Sequence, residues 1–445
     1  MTNSIKKTGI KRILPEQHLF VGFLVYTLIG TLLLFIPFAQ KKDTSFLDCL
    51  FAATSAISTT GLLTVSLYDN FTFFGQFIIM LLIQIGGIGY MTFSSFIILT
   101  GAKRLSNFRI KVFNTGFTMP KGFNPFEFIR SIIIFTVVIE TIGALLFFIA
   151  FVNAGVPIDF AIWSSIFHSV STFCTAGFGL YNNSFENYPT HYFLNIIIIV
   201  LSYLGAMGFI VLIDVWNYLT KKTKEITFTS KVIILVTFAL SFVGTLIIFF
   251  TEPSIQKYAT MDRLLISLFQ AMSALTTVGF NSIPISTMVM PVLLILTFLM
   301  YIGASPSGTG GGMKSTTLTS VVSVVYSRLI GSKKVQFLGK EIPEKRVDMA
   351  VAVFIFYTSW IFLGVFVLSF TEKATLTSLL FEVCSSLGTV GLSAGLTGSL
   401  TSFGKIVLTF LMFIGRVGVL TFGIALFSRQ SDEDLEKVEP TDLAV

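Results

Sequence analysis

Long apolar segments alternate with short polar connections along almost the whole chain. Segments long enough to cross about 30 Å of hydrocarbon as helices of about 20 residues lie at 19–38, 73–100, 128–152, 193–217, 231–251, 290–303 with its continuation, 349–370 and 404–427. This pattern predicts an all-α polytopic membrane protein with eight transmembrane helices.

Four shorter segments between these spans align with one another without gaps. Each has Phe ten positions before a glycine, Ser six before it and Thr two before it. The segments are FAATSAISTTG, FHSVSTFCTAG, FQAMSALTTVG and FEVCSSLGTVG, which end at Gly61, Gly177, Gly279 and Gly391. A helix of about 12 residues is only roughly 18 Å long, so each should enter the membrane and return. Non-helical backbone is tolerated at that depth only inside protein or along a water-filled path, and we therefore expect the four loops to share one axis.

The alignment predicts four tandem repeats around one pore, each consisting of a span, a pore helix, a filter loop and a second span. The predicted boundaries are 1–18 for an amino-terminal tail, 19–100, 101–217, 218–330 and 331–427 for the repeats, and 428–445 for a carboxy-terminal tail.

Small residues cluster at one place in each second span. The clusters are GGIG from Gly86, GAMG from Gly205, GASP from Gly303 and GRVG from Gly415. Small residues allow two helices, or a helix and a passing ion, to come close. Both explanations are open from the sequence.

The composition excludes a water-soluble enzyme. Of the 445 residues 53% are hydrophobic and 12% are charged, and the mean hydropathy is +0.85, whereas soluble domains carry about 25% charged residues. The net charge of +7 does not indicate nucleic-acid binding, because the positive residues lie in the tails and in short connections such as 101–130, 218–231 and 327–346. By the positive-inside rule, both termini are predicted to be cytoplasmic. The dispersed Cys49, Cys174 and Cys384 indicate neither a disulfide framework nor a zinc site.

The chemistry that the four loops suggest is coordination of an alkali cation. Rings of backbone carbonyls can replace the hydration shell of such an ion without any charged side chain, and the carboxyl ends of the pore helices would favour a cation beneath the loops. The candidate ligands are Thr59, Thr60, Gly61, Thr175, Ala176, Gly177, Thr277, Val278, Gly279, Thr389, Val390 and Gly391.

Two features break the fourfold pattern. The first is a segment in the third repeat that cannot continue a helix at reasonable cost; it comprises Gly303, Ala304, Ser305, Pro306, Ser307, Gly308, Thr309, Gly310, Gly311, Gly312, Met313 and Lys314. The second is Arg416, which aligns with Gly87, Ala206 and Ala304. A membrane arginine commonly marks an ion pathway, and we expect Arg416 to raise an electrostatic barrier. The alternatives are a passive helix break for the first feature, and a structural salt bridge or a snorkelling side chain for the second.

These repeats resemble the superfamily of K+ transporters of the TrkH, KtrB and plant and fungal HKT type, over roughly residues 19–427, and the eight-span form resembles KtrB, the membrane subunit of bacterial Ktr systems. The resemblance implies a K+-channel-like fold and K+ coordination by the loop backbones. A glycine in the first loop, Gly61, favours K+ over Na+. It also implies that the glycine-rich segment obstructs the pore and moves on activation.

The resemblance further implies a homodimer in the bacterial plasma membrane and a cytoplasmic ring of KtrA-like subunits that binds ATP or ADP. No covalent cofactor and no nucleic-acid partner are expected, and stimulation by Na+ is open. An alternating-access cation carrier is the alternative function, and an intramembrane enzyme lacks a catalytic constellation. The membrane acids Glu140, Glu382 and Asp214 are expected to brace neighbouring segments rather than bind ions.

Overall fold

The computed structural model describes residues 15–89 and 125–427, and over this part of the chain the fold is almost entirely helical. In chain order the helices are α1 (Pro15–Phe35), α2 (Phe46–Ile57), α3 (Leu67–Asn70), α4 (Phe73–Ile88), α5 (Pro125–Asn153), α6 (Ile158–Phe173), α7 (Tyr192–Met207), α8 (Phe209–Leu219), α9 (Phe228–Thr251), α10 (Thr260–Thr276), α11 (Met290–Ile302), α12 (Ser315–Leu329), α13 (Glu344–Leu368), α14 (Leu376–Leu387), α15 (Ser402–Val417) and α16 (Val419–Phe427). Strands β1 (Gln336–Phe337) and β2 (Lys340–Glu341) form an antiparallel hairpin between α12 and α13, with Gln336 opposite Glu341. The all-α prediction is confirmed.

Within residues 15–89 and 125–427, four helices are long and apolar enough to cross a bilayer, namely α1, α5, α9 and α13. Two further pairs, α7 with α8 and α15 with α16, pass the same test only as pairs, and they bend by 98° and 97° at their junctions. The shorter apolar helices include α2, α4, α11 and α14. The part of the predicted span 73–100 that follows residue 89 lies outside the described residues, so the count of eight crossings stays a prediction.

Short polar side chains fix where many of these helices begin. Such a side chain accepts a hydrogen bond from a main-chain N–H that the first turn would leave unpaired. Ser45 does so for α2, Thr72 for α4, Thr227 for α9, Thr375 for α14 and Thr401 for α15.

The first helix in the second span of each predicted repeat ends at a glycine. Helices α4, α7, α11 and α15 end at Gly89, Gly208, Gly303 and Gly418, which have φ values of 86°, 85°, 67° and 91°. Only glycine takes such angles without strain. The sequence predicted a break in the third span alone, and the structure has breaks in the second and fourth as well. The third differs by ending about one turn earlier, because α11 has 13 residues whereas α4, α7 and α15 have 16.

The first glycine of three clusters lies against a short helix. A Cβ atom on Gly86, Gly205 or Gly415 would overlap the main-chain oxygen of Ile57, Phe173 or Leu387, at the ends of α2, α6 and α14. Close packing therefore explains these three glycines.

The distribution of apolar side chains fits a bilayer. The short helices α2, α6, α10 and α14 are largely buried, whereas the long helices direct large apolar side chains outward. Examples are Leu32, Leu145, Phe242 and Phe362, which are 61%, 60%, 63% and 74% exposed. Soluble monomers rarely expose extended apolar surfaces, so this exposure is typical of helices that face lipid.

Candidate ion pathway

The four Thr-x-Gly loops follow α2, α6, α10 and α14 and meet in a closed ring, called here the Thr-x-Gly ring (residues 59–61, 175–177, 277–279 and 389–391). A Cβ atom on the glycine of any loop would overlap the main-chain oxygen of the middle residue of the next loop. The pairs are Gly61 with Ala176, Gly177 with Val278, Gly279 with Val390, and Gly391 with Thr60. The fourth loop thus closes on the first.

The backbone conformation is the same in all four loops. The threonines Thr59, Thr175, Thr277 and Thr389 have φ values of 54°, 49°, 60° and 48°, and the glycines have φ between 67° and 96°. A left-handed conformation costs a non-glycine residue about 1–2 kcal/mol. Such strain persists only where the surroundings enforce it, and it concentrates at functional sites.

One main-chain hydrogen bond recurs behind each loop. The N–H of the middle residue donates to the oxygen of the serine five positions earlier; the pairs are Thr60 to Ser55 (2.8 Å), Ala176 to Ser171 (2.8 Å), Val278 to Ser273 (3.2 Å) and Val390 to Ser385 (2.8 Å). In two loops the serine hydroxyl also accepts from the glycine N–H, at 3.0 Å between Ser55 and Gly61 and at 3.1 Å between Ser385 and Gly391. The shared serine of the sequence pattern is therefore part of the loop support.

A polar cavity of about 440 Å³ opens on one side of the ring. Its lining includes the four ring glycines and residues of the segments that follow them. Among the described residues that line it, Glu186 is the only one with a charged side chain. Its Oε1 accepts a hydrogen bond of 2.6 Å from Nδ2 of Asn281.

The glycine-rich loop, residues 303–314, covers the opposite side of the ring. The hydroxyl of Thr59 donates to the main-chain oxygen of Thr309 (3.2 Å) and the hydroxyls of Thr175 and Thr309 lie 3.0 Å apart. In the third repeat, the N–H of Gly311 donates to Oγ1 of Thr277 (3.1 Å). A Cβ atom on Gly311 would overlap Oγ1 of Thr389, so the loop contacts the threonine of every ring loop.

The break between α7 and α8 receives this loop. The N–H groups of Ser305 and Thr309 donate to the oxygens of Ala206 and Gly205 (both 3.1 Å), and the N–H of Phe209 donates to the oxygen of Ser307 (3.1 Å). At the base of the loop, Nζ of Lys314 donates to the oxygens of Gly310 (2.7 Å) and Gly311 (3.2 Å). The glycine-rich loop is therefore held from outside by the break between α7 and α8, and from within by its own Lys314.

Arg416 joins the ring to the glycine-rich loop. Its Nη1 donates to the main-chain oxygen of Thr309 and to Oγ1 of Thr59 (3.2 Å), and its Nη2 donates to the oxygen of Gly86. Within residues 15–89 and 125–427, Arg416 forms no salt bridge. Its partners among the described residues are two main-chain oxygens and a hydroxyl, which favours a role at the ring over a structural ion pair or a snorkelling side chain.

The three membrane acids accept hydrogen bonds from neighbouring segments, as expected for braces. Glu382 accepts from Thr397 Oγ1 (2.8 Å) and from the N–H of Leu396 (3.3 Å). Asp214 accepts from the N–H and the hydroxyl of Thr227 at the start of α9 (both 2.8 Å). Glu140 accepts from Gln84 (3.1 Å).

A partly buried ion pair beside α2 was not expected from the sequence. Nζ of Lys405 lies 2.6 Å from Oδ1 of Asp48, which also accepts from the hydroxyl of Thr64 (2.6 Å). The two charged residues are 357 positions apart, and no local pattern links them. In the described part of the chain no group of three or more His, Cys, Asp and Glu side chains could hold a metal ion.

Outward-facing apolar helices around a buried ring of loops define a polytopic membrane protein. The chain belongs to the TrkH family, whose model is described as "Cation transport protein" and matches residues 15–435. The prediction of a TrkH/KtrB-type transporter is confirmed, and the chain is a multi-pass membrane protein of the potassium uptake transporter family.

Individual relatives cover nearly the whole chain. It is 34% identical over 420 residues to the Ktr system potassium uptake protein B of Bacillus subtilis, with 92% of each chain covered. It is 35% identical over 435 residues to the potassium/sodium uptake protein NtpJ of Enterococcus hirae, with 95% of each covered. The solved structure of the potassium transporter TrkH from Vibrio parahaemolyticus matches with a TM-score of 0.72 at 21% identity, over 95% of this chain and 87% of that one, which supports the fold.

Proposed function

We propose that this chain is the K+ translocating subunit of a bacterial K+ uptake system and that K+ passes through the Thr-x-Gly ring as in a channel. The observation that supports this most directly is the closed contact of the four loops, each glycine against the middle oxygen of the next. Main-chain oxygens from four loops around one axis supply the hard ligands that a dehydrated alkali cation needs. The proposed ligands are the twelve residues of the ring.

The glycine-rich loop and Arg416 are proposed as the gate. The loop contacts the threonine side chains of the ring. In this position it would obstruct an ion that leaves the ring. The arginine places a positive charge at the same point, and a cation near it is destabilised. Opening then requires the loop to move away from the ring. It moves either together with Arg416 or after its hydrogen bond to Arg416 has broken.

Control by a partner is part of the proposal. Relatives in Bacillus subtilis and Vibrio alginolyticus are named as parts of Ktr systems, which supports a multi-component transporter. We assign to the partner, a KtrA-like cytoplasmic ring, the binding of ATP or ADP, and to this chain a homodimeric state in the plasma membrane with both termini cytoplasmic. The name of NtpJ supports Na+ as a further ion or activator.

A carrier with alternating access is the second candidate. It predicts a binding site near the bilayer midplane. Support for the channel-like mechanism over the carrier comes from the ring itself, whose ligands belong to short loops that contact one another in a closed circle.

The deciding experiment measures K+ and Na+ uptake in a bacterium that lacks its own K+ uptake systems. The parent chain should restore growth at limiting K+. Gly61→Ser should lower the K+/Na+ preference, because residue 61 has φ of 94° and its Cβ would displace the oxygen of Ala176. Equal amounts of folded protein in the membrane are the control. No K+ uptake by the parent, or an unchanged preference in Gly61→Ser, would contradict the proposal.

A further inference from the structure

The residue that follows the shared Phe of each pore helix is polar in three of the four repeats. This position lies nine residues before the ring glycine and holds Ala52, His168, Gln270 and Glu382. The three polar side chains are fully buried. A buried polar group without a partner is costly, so the partners of these side chains indicate what they do.

All three side chains accept hydrogen bonds from the chain just beyond their own ring glycine. Nε2 of His168 accepts from the N–H of Leu180 (3.3 Å), three residues after Gly177. The side-chain amide of Gln270 faces the N–H groups of Ser282 and Ile283, three and four residues after Gly279. Only an amide oriented with its oxygen toward the loop satisfies these donors, and it then accepts from Ser282 (2.9 Å) and Ile283 (3.2 Å).

In the fourth repeat the acceptor is a carboxylate. Glu382 accepts from the hydroxyl of Ser393, from the N–H of Leu396 (3.3 Å) and from the hydroxyl of Thr397 (2.8 Å), all within six residues after Gly391. The same position therefore contacts the same part of the loop in three repeats with three different side chains.

The first repeat achieves this contact differently. Ala52 has no polar atom in its side chain, and Asp48, one turn earlier on α2, accepts from the hydroxyl of Thr64, three residues after Gly61. Lys405 of α15 pairs with this carboxylate. Each of the four loops is thus tied to its own pore helix on both sides of its glycine: the recurring main-chain bond lies before the glycine and the side-chain contact lies after it.

We propose that His168, Gln270 and Glu382, together with Asp48 in the first repeat, are positioning residues for ion selectivity. The inference rests on the proposed function. These residues would contact no ion. They would fix the segment that follows each ring glycine, and thereby the distances between the main-chain oxygens of the ring. Discrimination between K+ and Na+ depends on the size of the oxygen cage or on the number of oxygens it holds, so a loop that loses its outer attachment should discriminate less.

The chain offers a clean test at Gln270. Gln270→Leu keeps the approximate volume and leaves the N–H groups of Ser282 and Ile283 without their acceptor. Gln270→Glu keeps an acceptor there, and Glu382 demonstrates that a carboxylate fits at the equivalent position of the fourth repeat. Gln256→Leu serves as the control. It makes the same change at a glutamine whose side-chain amide donates hydrogen bonds to the main-chain oxygens of Phe249 and Glu252, near the end of α9.

The experiment measures competition between K+ and Na+ for Rb+ uptake in the bacterium of the growth experiment, with the chain expressed together with the cytoplasmic subunit of its system. The thermal midpoint of unfolding is measured on the purified chain. We expect Gln270→Leu to lower the K+/Na+ preference by about tenfold, which corresponds to about 1.4 kcal/mol, and Gln270→Glu and Gln256→Leu to stay within about twofold of the parent. A merely structural role would lower the thermal midpoint and the maximal rate and leave the preference unchanged, and that result would overturn the proposal.

A milder variant covers the case in which Gln270→Leu does not fold. Thr397→Ala removes one donor to Glu382 from the loop side and leaves α14 intact. A lowered preference in folded Thr397→Ala supports the positioning role, and a parental preference in it overturns that role. Failure of the parent chain, expressed with that cytoplasmic subunit, to transport Rb+ or K+ would instead contradict the proposed function, so the two failures are distinguishable.

Discussion

Arg416 donates a hydrogen bond through Nη1 to the main-chain oxygen of Thr309, and the same nitrogen donates to the hydroxyl of Thr59. One side chain from the fourth repeat therefore holds the glycine-rich loop of the third repeat against the first loop of the ring. In the proposed gate, a single residue would thus supply both the charge of the electrostatic barrier and the attachment of the obstructing loop.

Replacing Arg416 by Ala should raise K+ uptake at least threefold. A unit charge about 8 Å from an ion raises its energy by about 2 kcal/mol at an effective dielectric constant of 20, and the substitution also removes the attachment of the loop. The measurement is the initial rate of Rb+ uptake per amount of membrane-inserted protein. Arg346→Ala, an exposed arginine at the start of α13, is the matched control. Unchanged or lower transport in Arg416→Ala would count against the barrier.

Thr309→Val should raise uptake by about twofold to fivefold. Valine keeps the shape of threonine but loses the hydroxyl that bonds Thr175 and the oxygen of Phe173. A hydrogen bond contributes about 0.5–1.5 kcal/mol, and its loss from the obstructed state alone would shift the gate toward opening by that amount. Thr251→Val, whose hydroxyl bonds its own helix α9, should transport like the parent. A decreased rate in Thr309→Val would mean that the loop assists permeation.

The ring could be predicted from the sequence because its features recur at fixed spacing. The glycines of the four loops follow Ser by six and Thr by two positions in every copy, and the structure has the same left-handed threonine in each. The glycine-rich segment was also recognisable, since five glycines and a proline cannot continue a helix. Both signals are local, and repetition strengthens that of the ring.

The breaks at Gly208 and Gly418 were not predictable in the same way. A glycine within an apolar span is compatible both with a continuous, closely packed helix and with a positive φ. The choice is made by tertiary contacts, such as the bond from Phe209 to the oxygen of Ser307 in the glycine-rich loop. The Asp48–Lys405 pair and the contacts of Arg416 likewise depend on residues hundreds of positions apart.

Glu186→Gln should weaken the apparent affinity for K+ and leave the maximal rate unchanged. Glutamine keeps an oxygen for Asn281 but removes the charge from the cavity outside the ring, where it attracts cations. We expect the KM for K+ to rise by about twofold to fivefold at low ionic strength, and the difference to shrink as an impermeant salt screens the charge. Glu225→Gln, an exposed glutamate near Lys231, is the control. An effect on the maximal rate alone would contradict the attraction of cations by Glu186.

The same residue predicts a pH dependence. Burial raises the pKa of the Glu186 carboxyl above its ordinary value, so protonation removes its charge at a higher pH than for an exposed glutamate. As the external pH falls through this pKa, the KM of the parent should rise toward that of Glu186→Gln, whose KM should not change. Parallel pH profiles for the two proteins would assign the titration to another group.

Lys405→Met should destabilise the fold more than the loss of an exposed ion pair. The side chains of Lys405 and Asp48 are 19% and 13% exposed, and removal of one partner leaves a mostly buried charge uncompensated. We expect a loss of about 1–3 kcal/mol in the free energy of unfolding, reduced from the value for a fully buried pair by this residual exposure.

The matched control is Lys334→Met, because Lys334 and Glu341 form a pair of 2.8 Å whose side chains are 66% and 53% exposed, and such pairs contribute about 0–1 kcal/mol. Thermal unfolding in detergent compares the two variants, and restoration of the midpoint in Lys405→Met by the second change Asp48→Asn would identify the uncompensated carboxylate as the cause. Equal midpoints for the two single variants would show that the Asp48–Lys405 pair contributes no more than a surface contact.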